Sequence, residues 1–216
     1  ADHLATLIDD ITLYTMMEMD EIEINPERCN IRRLVESAML IAHGQAYLKG
    51  LPLLVDFDDS LPTCIHCDPS HLRQIIMNLV NNAVKFTDNG SVRVSISSRK
   101  PGNADGKAPR SMELVISVKD TGIGIEDHHG EQIFQGFYKA GQNRNILFGG
   151  TGLGLTLARQ LVTLVGGDIW YESSVGQGSH FHVHLTVHED AGDDPAKAES
   201  IQDRKKSTSP LHLLLA

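Results

Sequence analysis

Cysteine is scarce in this sequence, positive charge is outnumbered, and no long apolar run occurs. Three cysteines are too few, and odd in number, for a disulfide framework, which points to a reducing compartment. Lys and Arg total 19 against 28 Asp and Glu, for a formal charge of −9, so the field of the whole chain repels nucleic-acid backbones and anionic lipid surfaces. No nucleic-acid partner is expected. No uninterrupted apolar stretch approaches the roughly 20 residues that cross a bilayer, and the opening ADHLATLIDD has neither a basic n-region nor a cleavage site. No membrane contact is expected of this segment. What remains, 216 residues with 41% hydrophobic and 22% charged, is the composition of a globular domain with appendages.

Periodicity divides the chain. In residues 1–19, Leu4, Leu7, Ile11 and Tyr14 recur at helical spacing, with Ile8 widening the stripe. After a short EIEI stretch, Asn30 is placed to cap a helix whose apolar face is Ile31, Leu34, Val35, Ala38 and Ile41. Strands are expected at 52–57 and 63–66. Asp68-Pro69 reads as N-cap and first helical residue of a helix over 68–86, stopped by the turn Asp88-Asn89-Gly90. Alternation marks strands at 91–98 and 112–119, joined by a Gly-, Pro- and charge-rich loop over 99–111. Residues 126–150 lose regularity, as a functional lid or a disordered segment does. A helix over 151–165 and strands at 168–173 and 179–187 follow. In 189–209 the sole bulky apolar residue is Ile201, so this stretch reads as a linker before the LHLLLA end, 210–216.

Three constellations suit chemistry on a nucleotide. On the 68–86 helix, at about 100° per residue, Asn78, Asn82 and Lys85 fall within roughly a 60° sector at the rim of the core face. Amide oxygens ligate hard cations and an ammonium neutralises phosphate, so the row suits a magnesium-bound polyphosphate. In DTGIGI, residues 120–125, Gly122 and Gly124 let the backbone turn tightly after a strand, leaving Asp120 as an acceptor for an exocyclic amine such as that of adenine. In GGTGLGL, residues 149–155, glycines at a helix N-terminus offer free N–H groups to phosphate oxygens. No Lys-Ser or Lys-Thr follows them, which excludes a Walker A loop.

NLVNNAVKF (78–86), DTGIGI (120–125), IFQGFYKA (133–140) and GGTGLGL (149–155) together resemble, in order and separation, the N, G1, F and G2 boxes of sensor histidine kinases. The superfamily is that of the gyrase, Hsp90, histidine-kinase and MutL ATP-binding domains, and the resemblance covers roughly 22–187. It implies an α+β fold: a two-layer α/β sandwich whose mixed, mostly antiparallel sheet has helices on one face, preceded by one dimerisation-type helix. It implies ATP and Mg²⁺ as cofactors, with Asn82 on the metal, Asn78 positioning phosphates and Lys85 on phosphate. Asp120 would read adenine, with Gly122 and Gly124 shaping the base pocket. Phe134 and Phe137 would belong to the lid, Lys139 and Arg144 would be candidates to reach the γ-phosphate from it, and Gly150, Thr151, Gly152, Leu153 and Gly154 would form its hinge and the phosphate cradle. ATP-hydrolysing relatives carry a water-activating Glu where Asn78 stands. An amide takes no proton, so transfer to another nucleophile is favoured over hydrolysis.

The ends acquire a meaning through the same resemblance. Residues 1–21 resemble the second helix of a dimerisation hairpin, 22–188 the catalytic domain, and 210–216 the start of a receiver domain, as in hybrid sensor kinases. None of the 11 His sits in the family's phosphoacceptor context. The acceptor is therefore expected outside this chain, which by itself would bind ATP without labelling itself. The expected partners are the protein's own dimerisation and phosphoacceptor domain, through which the intact protein would be a homodimer, and a receiver domain or response regulator. The location implied is cytoplasmic, with the intact protein anchored in the bacterial inner membrane by segments outside this chain. Two other readings stand beside it, a degenerate interaction module regulating a partner kinase and a chaperone-like ATPase. Glu126, Gly130 and Gly136 depart from the family's lid pattern, and each glycine removes a restraint there. Cys64 and Cys67 read as structural thiols, and Met16, Met17 and Met19 as helix-packing residues. His180, His182 and His184 alternate with Phe181, Val183 and Leu185, which reads as a solvent-facing row on one strand face, able to bind metal adventitiously.

Overall fold

The structure is a computed structural model that describes residues 2–19, 21–99, 111–138 and 151–189. The expected loop over 99–111 falls almost wholly outside the described residues; the linker after Glu189 and the 210–216 end lie wholly outside them.

Helix α1 (Asp2–Glu18) leads to strand β1 (Glu27–Asn30), helix α2 (Ile31–Leu48), and strands β2 (Leu53–Phe57) and β3 (Cys64–Cys67). Helix α3 (Pro69–Phe86), β4 (Val92–Arg99) and β5 (Ser111–Asp120) follow, then a 3-10 segment (Asp127–Phe134), helix α4 (Gly154–Leu164), β6 (Asp168–Ser174) and β7 (Gly178–Glu189). The seven strands form one sheet in the order β1-β3-β7-β5-β4-β2, with β6 beside the first half of β7. Every pairing is antiparallel except β2 with β4, so the mixed, mostly antiparallel sheet is borne out.

Local chemistry starts the helices where the sequence says. Asn30 accepts from the Arg33 N–H at 3.0 Å and caps α2. Asp68 Oδ1 accepts from the Ser70 and His71 N–H groups at 3.0 and 3.1 Å, and Pro69 opens α3 at the position where a missing N–H costs nothing. Burial would raise the Asp68 carboxyl, but hydrogen bonds from Ser70, Asn25 and His71 outweigh it and hold the group below the usual carboxylate range. The α3 face Leu72, Ile75, Ile76, Leu79 and Val80 then lies buried over Val94, Ile96, Leu114, Ile116, Val118 and Val183 of the sheet. Each such side chain removed from water is worth about 1.5–3 kcal/mol.

Three elements differ from expectation. Glu27–Asn30 is a strand, paired to β3 with Cys29 opposite Ile65, although four residues carry no alternation to reveal it. Within the supposedly irregular 126–150 region, Asp127–Phe134 is a 3-10 segment broken at Gly130, whose φ of 33° and ψ of −127° suit glycine alone. The last helix begins at Gly154 rather than residue 151, because Thr151 to Leu153 form the turn that leads into it. Cys29 is buried and Cys64 and Cys67 half-buried as free thiols, as expected of structural cysteines. Met17 packs on the core, whereas Met16 on α1 and Met19 just after it are exposed, so neither is the helix-packing residue expected. No helix among the described residues is long and apolar enough to cross a membrane.

Candidate active site

The end of β5, the end of α3 and the β6–β7 turn meet at Asp120. This residue is 4% exposed, and its Oδ1 accepts from the Gly122 N–H at 2.8 Å and the Ser179 N–H at 3.2 Å. Burial raises the carboxyl above its ordinary range against the lowering effect of these two bonds. The glycines around it are required sterically. A Cβ on Gly122 would lie 2.2 Å from the Phe86 carbonyl oxygen, and one on Gly124 (φ 70°) 2.1 Å from the Ser174 carbonyl oxygen. The turn is thereby pressed against both α3 and β6, and the Ile123 N–H donates to the Phe86 carbonyl at 3.2 Å.

The amide row on α3 faces the start of α4. A Cβ on Gly154 would stand 3.6 Å from Asn82 Nδ2 and 3.8 Å from Asn78 Oδ1, so both amides border the N-terminus of that helix. Asn78 is buried, its Oδ1 accepting from Gln74 Nε2 at 3.4 Å, and its Nδ2 is enclosed with no partner among the described residues. A buried donor left without a partner costs about 1–3 kcal/mol. At the α4 N-terminus itself, the Asn82 Nδ2 and the helix's own N–H groups, with the positive end of its dipole, favour an anion. Lys85, at the end of the row, is half-buried with its ammonium 4.7 Å from the Phe86 ring centre.

The turn before α4 is braced from outside. The Thr151 hydroxyl accepts from the Leu153 N–H at 3.1 Å and donates to Asp10 Oδ2 of α1 at 3.2 Å. Leu153 is fully buried, and Gly152 has φ 75°, where a Cβ would come within 3.0–3.1 Å of the Phe137 and Tyr138 backbone. Of the expected lid residues, Phe134 is not a free flap. Its ring is buried against Tyr171 and Phe181, with the Arg159 guanidinium 5.0 Å from its centre, which makes it the anchor of the 3-10 segment. Phe137 is exposed, with φ 64°, and meets Tyr14 of α1 edge-on at 5.9 Å. Gly150, Lys139 and Arg144 lie outside the described residues.

One supporting residue escaped the sequence reading. The Lys49 ammonium donates to the carbonyls of Val84, Lys85 and Thr87 at 2.9, 2.8 and 3.0 Å, gathering the last turn of α3 beside the Asp120 turn.

Residues 67–189 match the family model described as histidine kinase-, DNA gyrase B- and HSP90-like ATPase. The chain is 30% identical over 187 residues to the signal transduction histidine-protein kinase BarA of Escherichia coli strain K12, covering 87% of this chain and 20% of that protein. It is 33% identical over 189 residues to the sensor protein GacS of Pseudomonas syringae pv. syringae, again covering 87% and 20%. It thus spans about a fifth of the length of these relatives. Among solved structures, full-length ShkA in complex with AMPPNP superposes with a TM-score of 0.72 at 28% identity, covering 88% of this chain and 37% of that one. The Acinetobacter baumannii histidine kinase AdeS, at 19% identity and a TM-score of 0.64, shares the fold over 86% of this chain and 79% of its own. With a family model matching more than half of its length, the chain is a member of the histidine kinase-, gyrase B- and HSP90-like ATPase family.

Proposed function

We propose that this chain is the catalytic ATP-binding module of a hybrid-type sensor histidine kinase, which passes the γ-phosphoryl group of ATP to a histidine on a dimerisation hairpin. The observation that carries the reading is the pair of α3 amides, Asn78 and Asn82, set against the glycine-led N-terminus of α4. That corner offers an anion both donors and a dipole, yet holds no carboxylate at position 78 to take a proton from water.

Asp120 would accept from the adenine amine, and Gly122 and Gly124 let the turn that carries it press against α3 and β6, fixing the wall of the base pocket. The Gly152–Gly154 turn would present N–H groups to the phosphates, and Lys85 would neutralise their charge. The oxygen-bearing amide of Asn82, next to the same helix end, fits a hard cation, and a bound Mg²⁺ would supply charge neutralisation on the phosphates. Transfer to a neutral imidazole nitrogen needs little covalent help from the protein, so positioning and charge neutralisation are what these residues contribute. The partners under this reading are the dimerisation hairpin of the same protein and a receiver domain or response regulator. Homodimerisation through the hairpin and membrane anchoring belong to the intact protein.

The test is calorimetric titration with Mg-ATP followed by incubation with γ-labelled ATP and a separately supplied dimerisation domain. Binding, with acid-labile label on the supplied domain and none on this chain, is the expected result. Binding with no transfer would leave an interaction module, and steady phosphate release lost in Asn78→Ala would indicate an ATPase.

A further inference from the structure

The sheet face turned away from the helices carries a cluster that the nucleotide site does not use. Along β7, Phe181, Val183 and Leu185 are buried beneath the helices, which leaves His180, His182 and His184 on the opposite face. These histidines are not a fully solvated row. All are half-buried, and Trp170 of β6 stacks on His182 at 5.2 Å and 14° while meeting His184 edge-on at 4.6 Å.

The register of the hairpin brings a carboxylate to the same place. Glu172 is the direct cross-strand partner of His180, and Trp170 that of His182. Residues i and i+2 of a strand share a face, and a directly paired residue lies about 5 Å across, so three side chains placed this way can converge on one point. They do: one ligand atom from each of Glu172, His180 and His182 lies within 4.8 Å of the others, and the two imidazole centres are 3.9 Å apart. His182 Nε2 is buried with no hydrogen-bond partner among the described residues. Burial chiefly, aided for His180 by the neighbouring imidazole and Lys119, lowers the proton affinity of both rings and favours the neutral form that binds metal. Lys119, opposite His180 on β5, is the cation that a bound ion would face, and Glu172 is the charge that offsets it.

We propose that Glu172, His180 and His182 form a binding site for a borderline divalent transition metal of the zinc class, with water completing the shell. Two imidazole nitrogens and one carboxylate oxygen are the donors of open three-ligand zinc sites, and they disfavour magnesium, which takes oxygen ligands. The stacked indole fixes the His182 ring, a packing counterpart of the outer-shell bonds that orient metal-binding histidines. A second group, Glu126, His128 and His129, also brings its donors within 4.8 Å. There, however, Tyr138 Oη engages His129 Nδ1 at 2.6 Å and Glu126 pairs with His128 Nδ1 at 3.2 Å. That group serves as the control.

The experiment takes the untagged chain, stripped with chelator and free of nucleotide, so its outcome is independent of the kinase reading. Trp170 is the single tryptophan and reports directly on the site. Cobalt(II) chloride is expected to quench its fluorescence saturably and to give the visible absorption of a four-coordinate ion, and zinc chloride added afterwards to restore the fluorescence. His182→Gln and Glu172→Gln, on the outer face and so compatible with folding, should each weaken zinc affinity at least about tenfold, equivalent to about 1.4 kcal/mol. The His128→Ala/His129→Ala double variant should leave the quenching unchanged. Unquenched Trp170 at saturating cobalt, equal affinity in both Gln variants with wild type, or loss of quenching in the double variant would each overturn the assignment. Thermal unfolding of the stripped variants separates a lost ligand from a lost fold.

Discussion

Ser179 donates its N–H to Asp120 Oδ1 at 3.2 Å, so the carboxylate at the end of β5 is aimed by the strand that follows the β6–β7 turn. The Gly122 N–H binds the same oxygen at 2.8 Å. Asp120→Asn keeps an oxygen for both donors and should leave thermal stability nearly unchanged. It places an NH₂ where the adenine amine needs an acceptor, and ATP affinity should fall about 10–100-fold, the range set by losing one hydrogen bond of about 1.5–3 kcal/mol to a charged group. The pH dependence has a definite sign. Burial raises this carboxyl, so its charged form is lost as pH falls through a value above the ordinary 3.9 or so. Wild-type affinity should therefore weaken on acidification from neutral pH more steeply than that of the Asn variant, as calorimetry at a series of pH values would show.

Two glycine substitutions should separate folding from binding. A methyl at Gly122 would lie 2.2 Å from the Phe86 carbonyl oxygen, a backbone atom that cannot swing aside, and Gly122→Ala should cost about 1–3 kcal/mol of stability. A methyl at Gly154 meets Asn82 and Asn78 at 3.6 and 3.8 Å, ordinary contact, and Ala suits a helix better than Gly. Gly154→Ala should keep its melting temperature yet bind ATP at least tenfold more weakly, because the methyl fills the corner where phosphate would approach. Comparable affinity in Gly154→Ala and wild type would remove the α4 terminus from the site.

What could be read from the sequence and what could not divides along sequence separation. Helix α3 was legible because its cap, Asp68-Pro69, and its apolar period are local, and the Asp120 turn because its glycines carry the requirement themselves. Strand β1 was not, since ERCN has no alternation and becomes a strand by pairing with β3. The motif around Phe134 carries no sign that its ring packs against Phe181 and Tyr171, far along the chain. The bond from Thr151 to Asp10 spans 141 residues and leaves no local trace.

Lys49 belongs to that second class. Its ammonium gathers three carbonyls of the α3 terminus from 35 to 38 residues away, next to the point where Ile123 hydrogen-bonds Phe86. Lys49→Met keeps the aliphatic stem and strands those acceptors. With the side chain about a third exposed, water recovers part of the loss, and about 1 kcal/mol of stability should disappear. A lowered urea midpoint with an unchanged slope is the expected signature, accompanied by weaker ATP binding as the Phe86–Ile123 contact loosens.

The Asp10–Thr151 bond joins α1 to the turn that precedes α4, so docking of the first helix and the shape of the phosphate corner are linked. Asp10 is 9% exposed, and burial, reinforced by the adjacent Asp9 charge, raises its carboxyl despite the hydrogen bond from Thr151. A raised pKa in the docked state means that docking is strongest where Asp10 is protonated and weakens as pH climbs through the raised value. Asp10→Asn retains an acceptor for the Thr151 hydroxyl and carries no charge at any pH. Hydrogen exchange across Asp2–Glu18, corrected for intrinsic rates, should show α1 better protected in the variant than in wild type at pH 8, with the gap closing toward pH 4. Equal protection at pH 8 would mean that the buried charge does not oppose docking. Greater protection in wild type at pH 8 would mean that the carboxylate's hydrogen bond outweighs its burial, reversing the sign.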